Sequence, residues 1–507
     1  MLQSPLRYLS SSYGNYTAAT THRGALCLIS DLIDYFFVAH PLSGRREGEE
    51  HKRVMYFYTQ PGTPPDKTRQ TEVTGFAEAI VNFMNDFSDK ENQNFEGDFP
   101  YRDVMTDKTA QVYVQVEHGE FLLGISFDKQ ASKNFEYTIF MPTLRSVLIE
   151  AYKMFKLFFG PMEDFRRADE TLFQQRLDYF FGRYFSQLRL FNMPLLNHFI
   201  GVDFQPLNGT PFLTIETLLA EVKEDFPAVS KMLFLYQDKL LYYSVSKADL
   251  PSLYRYLTEN LLPMSLRAEL EPNTRVPGGK WLTGPTDLQN DLPITLDCSP
   301  PTVFLTAADE SYEEHKLLVY RSLNATICLF VNTEVTRLMM RNMDGFLGAE
   351  LPKLASMIGE SISTENSELR VSDFHYIYYN PSSLSLRTSF HQSPLVGGIT
   401  SKNTPQLPAV PQSVHNIVCE TYDRLLEASE DFGECIVKES RDWWIVIKKV
   451  NERILVLLLP PTFNIPSLQE AHSRIENHVF ISLPKLKTAV YFSVMLTEYG
   501  KPLPLPS

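Results

Sequence analysis

GRREGEEHKRVMYFY, residues 44–58, sets ten mostly charged residues against five that are apolar or aromatic. Just before it, LIDYFFVAHP (32–41) has the aromatic and β-branched content of a strand, and its own apolar end, RVMYFYTQ (53–60), reads as a second strand of similar length. Two strands joined by a polar segment make a hairpin. After the turn cluster PGTPPDK, Phe76, Ala77, Ile80, Val81, Met84 and Phe87 recur at helical spacing. The order is therefore β-β-α.

Working outward, QVYVQVEH and EFLLGISFDK add strands, with EYTIFMP as the least clear candidate for the last one in this set. A long helix follows with Leu144, Val147, Leu148, Ala151, Tyr152 and Phe155 on one face, then a second with Leu177, Phe181, Tyr184 and Leu188. The order returns at KMLFLYQDKLLYYSV, a hairpin turning at Gln237 and Asp238, and at DLPSLYRYLTENLL, a helix starting near Asp249. TVFLTA, KLLVYRSL and ATICLFVN supply three more strands, and helical sequence runs through Met340 and Leu354 to Ile358. A third pass opens at FHYIYYNPSSLSLRTSF, continues through a helix at Val414, Ile417, Val418, Tyr422 and Leu425, and reaches GECIVKES, DWWIVIKKV and RILVLLLP as strands. A last helix carries Leu468, Ala471, His472, Ile475 and Val479; VYFSVMLTEY is strand-like and has no assigned place.

Three passes close to β-β-α-β-β-β-α specify an α+β fold, layered α/β/α, each pass a five-stranded antiparallel sheet with flanking helices. The expected divisions are a flexible tail at 1–25 and domains at 26–192, 193–365 (with an irregular insertion at 264–300) and 366–507 (with a mobile loop at 392–412). Each repeat exceeds ~100 residues, so these are domains and not solenoid units.

Composition narrows the function. An apolar fraction of 44% is ample for packed cores, and a net charge of −14 disfavours a nucleic-acid binder. The five cysteines stand singly, without CxxC, and read as reduced thiols of a cytoplasmic chain. No apolar run approaches the ~18–20 residues of a membrane span.

The chemistry motifs are missing. Gly44 and Gly48 bracket three residues and Glu49 stands where a phosphate loop needs Lys. Glu47, Glu49, Glu50 and His51 diverge on an extended backbone, so no metal site is assigned. There is no HExxH, GxSxG or GxGxxG, and DFG at 431–433 lacks an HRD before it. No catalytic residue and no cofactor is expected; a hydrolase with an unrecognised site would need a deep pocket with a perturbed carboxylate or cysteine. Trp443 and Trp444 read as core. Lys438, Arg441, Lys448 and Lys449 are the candidates to face anionic lipid, against a solvated edge.

The opening stretch, taken with the helix after it, resembles the calcium-caffeine-zinc sensitivity protein family of vacuolar and late-endosomal fusion. The matching residues are Arg46, Glu47, Gly48, Glu49 and Glu50, then Gly75, Glu78, Ala79 and Ile80; MLFLYQDKLLYYS and LYRYLTENLLP are similar to the family's second domain. The resemblance implies three longin domains. It also implies a subunit that pairs with the monensin-sensitivity longin protein as a guanine-nucleotide exchange factor for a Rab-seven type GTPase. Early-to-late endosome maturation and lysosome, vacuole and autophagosome fusion would be the setting. A third regulatory subunit in animals and peripheral recruitment to anionic, phosphoinositide-bearing endosomal and lysosomal membranes are implied as well. The alternatives are the related Hermansky-Pudlak complex subunit acting on another Rab, or a longin adaptor without exchange activity.

In such a pair the first domains join along edge strands and neighbouring helices form the GTPase platform. Val54, Tyr56 and Tyr58 are then the candidates for strand pairing. Phe76, Glu78, Ile80 and Phe83 are those for GTPase contact, with Glu78 favoured because it lies off the apolar stripe, and with Phe76 and Ile80 also readable as core.

Overall fold

The computed structural model describes residues 26–463 except 45, 61–65, 88–98, 206, 208, 264–278, 284–299, 310, 369–373, 391–407 and 428–430. Leu468–Val479, VYFSVMLTEY, the 1–25 tail and most of the 392–412 loop lie outside the described residues. The chain divides into two compact units. One holds the described residues up to Ile200 with Ala409–Cys419, the other those of Gly201–Pro408 and from Glu420 onward.

The first unit contains strands β1 (Leu26–Leu28), β2 (Ile33–Ala39), β3 (Val54–Thr59), β4 (Tyr101–Met105), β5 (Thr109–Val116), β6 (Phe121–Asp128) and β7 (Arg189–Phe191). Its helices are α1 (Lys67–Phe87), α2 (Lys129–Asn134), α3 (Met141–Phe159), α4 (Met162–Ala168), α5 (Glu170–Gln187) and α6 (Pro194–His198). Five strands form one antiparallel sheet in the order β3-β2-β6-β5-β4, and β1 pairs with β7 separately.

Period-two alternation explains how this sheet is buried on both faces. Tyr35, Phe37 and Ala39 of β2 pack with Ala77 and Val81 of α1, while Phe36 meets Phe181 and Phe185 of α5 at 4.8 and 4.5 Å between ring centroids. A Cβ on Gly124 of β6 would fall 2.2 Å from Phe37 Cε1, so only glycine lets that ring lie across the sheet.

Two details differ from the sequence reading. EYTIFMP is not a strand; Tyr137 and Phe140 are buried from irregular backbone leading into α3. The missing strand is β4, YRDVM, whose mixed polarity suits a half-covered edge and hides it from a hydrophobic pattern.

In the second unit, α7 (Thr210–Asp225), β8 (Val229–Tyr236), β9 (Lys239–Tyr243), α8 (Leu250–Arg255, continued by a π-helical turn at Tyr256–Leu261), β10 (Lys280–Thr283), β11 (Thr302–Thr306), β12 (Tyr312–Ser322), β13 (Ala325–Val331) and α9 (Arg337–Glu368) make the second domain. Its sheet runs β10-β12-β13-β8-β9, with β11 also on β12, so β10 from within the expected insertion makes a sixth strand. Ile215, Leu218, Leu219 and Val222 of α7 and Met340, Leu347, Leu351 and Ile358 of α9 bury one face.

The third domain contributes β14 (His375–Asn380), β15 (Ser385–Thr388), β16 (Phe432–Lys438), β17 (Trp444–Val450) and β18 (Arg453–Leu459), ordered β15-β14-β18-β17-β16. Helix α10 (Gln412–Glu427) divides between the two units. The chain after Gly201 ties two of these edges together. Val202 bridges to Ser385 of β15 and Phe204 to Leu240 of β9, both in parallel, and Asp203 pairs with Lys239 at 2.6 Å.

Candidate protein-interaction interface

The charged connector between β2 and β3 is tied by its own charges. Lys52 Nζ donates to Glu49 at 2.7 Å, Gly48 N–H donates to Glu50 at 3.1 Å, and Arg53 Nε reaches the Gly44 carbonyl at 3.3 Å. Gly44 sits at φ +59°, where a Cβ would fall 2.1 Å from the Glu49 carbonyl oxygen. The glycine is a steric requirement of the turn and not a phosphate cradle.

This connector delivers β3 to the edge of the sheet. Among the described residues β3 pairs only with β2, so alternate backbone N–H and C=O groups face away from the sheet. A register shift between Val38 and Ala39 places Met55 in a bulge and sets Val54 apart from the regular ladder.

The candidate side chains separate into groups. Tyr56 is 7% exposed, with its ring on Phe36 and Phe181, and burial together with the Asp178 charge raises its hydroxyl's pKa. Its side chain belongs to the core, so only its backbone is offered to a partner. Tyr58 is partly buried against Phe185, and Val54 is partly exposed.

On α1 the buried stripe runs through Thr74, Ala77 and Val81, with Val73 and Ile80 partly covered. Phe76 and Phe83 lie outside it, 48% and 60% exposed. Glu78 is placed differently from the surface position expected of it. Its Oε2 accepts from Arg53 Nη1 at 2.9 Å, its side chain is 11% accessible, and Oε1 is buried without a hydrogen-bond partner among the described residues. Burial raises its pKa and Arg53 opposes the rise. Position off the apolar stripe signals solvent only if no neighbouring loop folds over the helix, and here the connector does.

The four basic candidates of the third domain do not form one patch. Lys438 pairs with Asp442 at 2.7 Å and lies 5.5 Å from the Trp444 ring; Arg441 is exposed in the β16–β17 turn, its N–H donating to Glu439. Lys448 faces Glu434 at 3.8 Å, and Lys449 must point to the opposite face. At ~3.3 Å per residue, Lys448 lies about 13 Å along β17 from Trp444. Trp443 and Trp444 are both buried. No helix among the described residues is long and apolar enough to cross a membrane.

Sequence reasoning missed the Arg53–Glu78 pair, because two residues on separate elements carry no local spacing signal. Comparison with known proteins places these elements. Residues 33–160 match the family described as the first longin domain of INTU, CCZ1 and HPS4, 229–348 match Intu longin-like domain 2, and 371–478 match Intu longin-like domain 3. The chain is 30% identical over 457 residues to the vacuolar fusion protein CCZ1 homolog of Xenopus laevis, covering 84% of this chain and 90% of that one. It is 29% identical over 449 residues to the homolog of Nematostella vectensis, covering 84% and 91%, and 22% identical over 456 residues to that of Dictyostelium discoideum, covering 84% and 92%. The chain therefore belongs to the CCZ1 vacuolar fusion protein family and is built from three longin-like domains.

Proposed function

We propose that this chain is one subunit of a guanine-nucleotide exchange factor for a Rab-seven type GTPase, working as a heterodimer with the monensin-sensitivity longin protein. The observation that carries the reading is the open β3 edge beside a helix that exposes Phe76 and Phe83, within the domain matched as the family's first longin domain. An edge strand extends a partner's sheet through its backbone, and exposed aromatics are common anchors of protein interfaces.

Such a surface needs no nucleophile. A protein that binds the nucleotide-free GTPase more tightly than the loaded one weakens nucleotide binding by the same factor. Accelerating release ten-thousandfold calls for about 5.5 kcal/mol of differential binding, within reach of an interface burying ~1,600 Å² in total. The pair would act from the cytoplasm, recruited peripherally to anionic endosomal and lysosomal membranes, with a third regulatory subunit in animals. Release of a fluorescent guanine nucleotide from the GTPase, measured with each longin chain alone and with both, tests the reading. Acceleration by the pair supports it; a stable pair that leaves release at the intrinsic rate assigns the chain to the adaptor class instead.

A further inference from the structure

We propose that His40, Glu120 and Glu163 form a binding site for a divalent transition-metal ion of the zinc class, fastening the start of the charged connector to the helical layer. One ligand atom from each residue lies within 4.8 Å of the others. His40 Nε2 is 3.7 Å from Glu163 Oε2 and 3.9 Å from Glu120 Oε2. Ligands bound to zinc at 2.0–2.2 Å stand ~3.4 Å apart in a tetrahedron, so closure draws each carboxylate about 0.4 Å nearer the imidazole and brings the two carboxylates together from a separation of at most 4.8 Å.

The imidazole supplies the observation that a carboxylate cluster alone does not. His40 is 3% exposed, and its Nε2 is buried with no hydrogen-bond partner among the described residues. Its other nitrogen, Nδ1, is 2.8 Å from Ser43 Oγ. In the tautomer that donates Nδ1–H to Ser43, the Nε2 lone pair points between two carboxylates, the orientation a metal-ligating histidine receives from an outer hydrogen bond. In that tautomer, without a cation, the buried lone pair and the two anions repel one another.

Two guanidiniums also border the cluster, and they leave room for an ion. Arg166 donates to both oxygens of Glu163 at 2.8 and 2.7 Å, and Arg167 Nε donates to Oε1 at 2.6 Å. A carboxylate offers about four lone-pair sites, so three donors leave one on Oε2, the oxygen nearer His40. Arg167, 64% exposed and 3.9 Å from Glu120, can move outward. Glu120, Glu163 and Glu170 against Arg166 and Arg167 leave one net negative charge (3 − 2 = 1) before a cation enters. Glu163, paired to both guanidiniums, is an anionic ligand in the neutral range. Glu120 is 31% accessible and opens the site to a water as fourth ligand.

The site would reach the interaction edge through short links. The His40 N–H donates to the Arg53 carbonyl at 2.8 Å, and Arg53 holds Glu78 of α1.

The test is zinc uptake by the full chain with its longin partner, after chelation and reloading, by equilibrium dialysis, with Co2+ absorption to report ligand geometry. We expect one ion per chain in the wild type that is absent from His40→Gln and from Glu120→Gln, and an affinity about tenfold weaker in Ser43→Ala. Zinc should raise the melting temperature of the wild type but not of Glu120→Gln, a partly exposed position that keeps the test valid if His40→Gln fails to fold. Equal uptake by wild type and both Gln variants, or no uptake by the wild type, would overturn the proposal.

Discussion

Arg53 and Glu78, 25 residues apart in the chain, meet at 2.9 Å and fasten the charged connector to the helix that follows β3. The pair is a mostly covered clamp, with accessible fractions of 26% and 11%. Removing Glu78 leaves a partly buried guanidinium without its carboxylate. Glu78→Ala should destabilise the first unit by about 2 kcal/mol, less than for a fully buried pair because Arg53 keeps solvent contact. Chemical denaturation of the isolated full chain measures this; an unchanged midpoint would show that the pair contributes nothing.

Phe76 and Phe83 should behave in the opposite way. Their exposure predicts changes within about 0.5 kcal/mol on Phe76→Ser or Phe83→Ser. If α1 is an interface, the same substitutions should weaken GTPase binding by about tenfold or more. Loss of stability without loss of binding would return these rings to the core.

The β3 edge calls for a choice of substitution. Tyr56→Asp would place a charge among Phe36 and Phe181 and should cost more than about 3 kcal/mol, confusing unfolding with failed pairing. Val54→Lys is the cleaner probe, since an edge lysine resists strand addition while a partly exposed position tolerates it. Co-elution of the two longin chains should be lost with Val54→Lys while the melting temperature of the free chain holds.

His198 gives the first unit a pH dependence. Its pKa falls to about 4 through burial first and the Arg145 charge second, against a hydrogen bond to the Pro142 carbonyl. The folded value lies below the unfolded one near 6.5, so the unfolded chain takes up the proton first. This contribution is fully present above pH 6.5 and is lost as pH falls towards 4. Between pH 7.5 and 5.0 it should lower stability by about 2 kcal/mol, read as a shift in urea midpoint that His198→Gln reduces.

The sequence made the most apolar strands legible, because burial on both faces turns LIDYFFVA and FLLGISFD into near-continuous apolar runs. It concealed YRDVM, a half-polar edge, and the helix at Thr210–Asp225, whose apolar stripe lies close to turn-rich sequence. The candidate interaction residues were less legible for a different reason. Tyr56 stood among the strand-pairing candidates because a strand pattern cannot tell solvent from an overlying helix, and α5 covers its ring. Glu78 depended on a loop closing from another element, and His40, Glu120 and Glu163 meet only through the tertiary fold.

The most direct measurement is the rate of fluorescent-nucleotide release from a Rab-seven type GTPase in the presence of both longin chains, with the wild type beside Phe83→Ser and Val54→Lys. The expected result is acceleration by the wild-type pair, approaching ten-thousandfold, reduced about tenfold or more by Phe83→Ser and brought near the intrinsic rate by Val54→Lys, although the free chain stays folded. Acceleration undiminished by both substitutions would contradict an exchange platform built on β3 and α1.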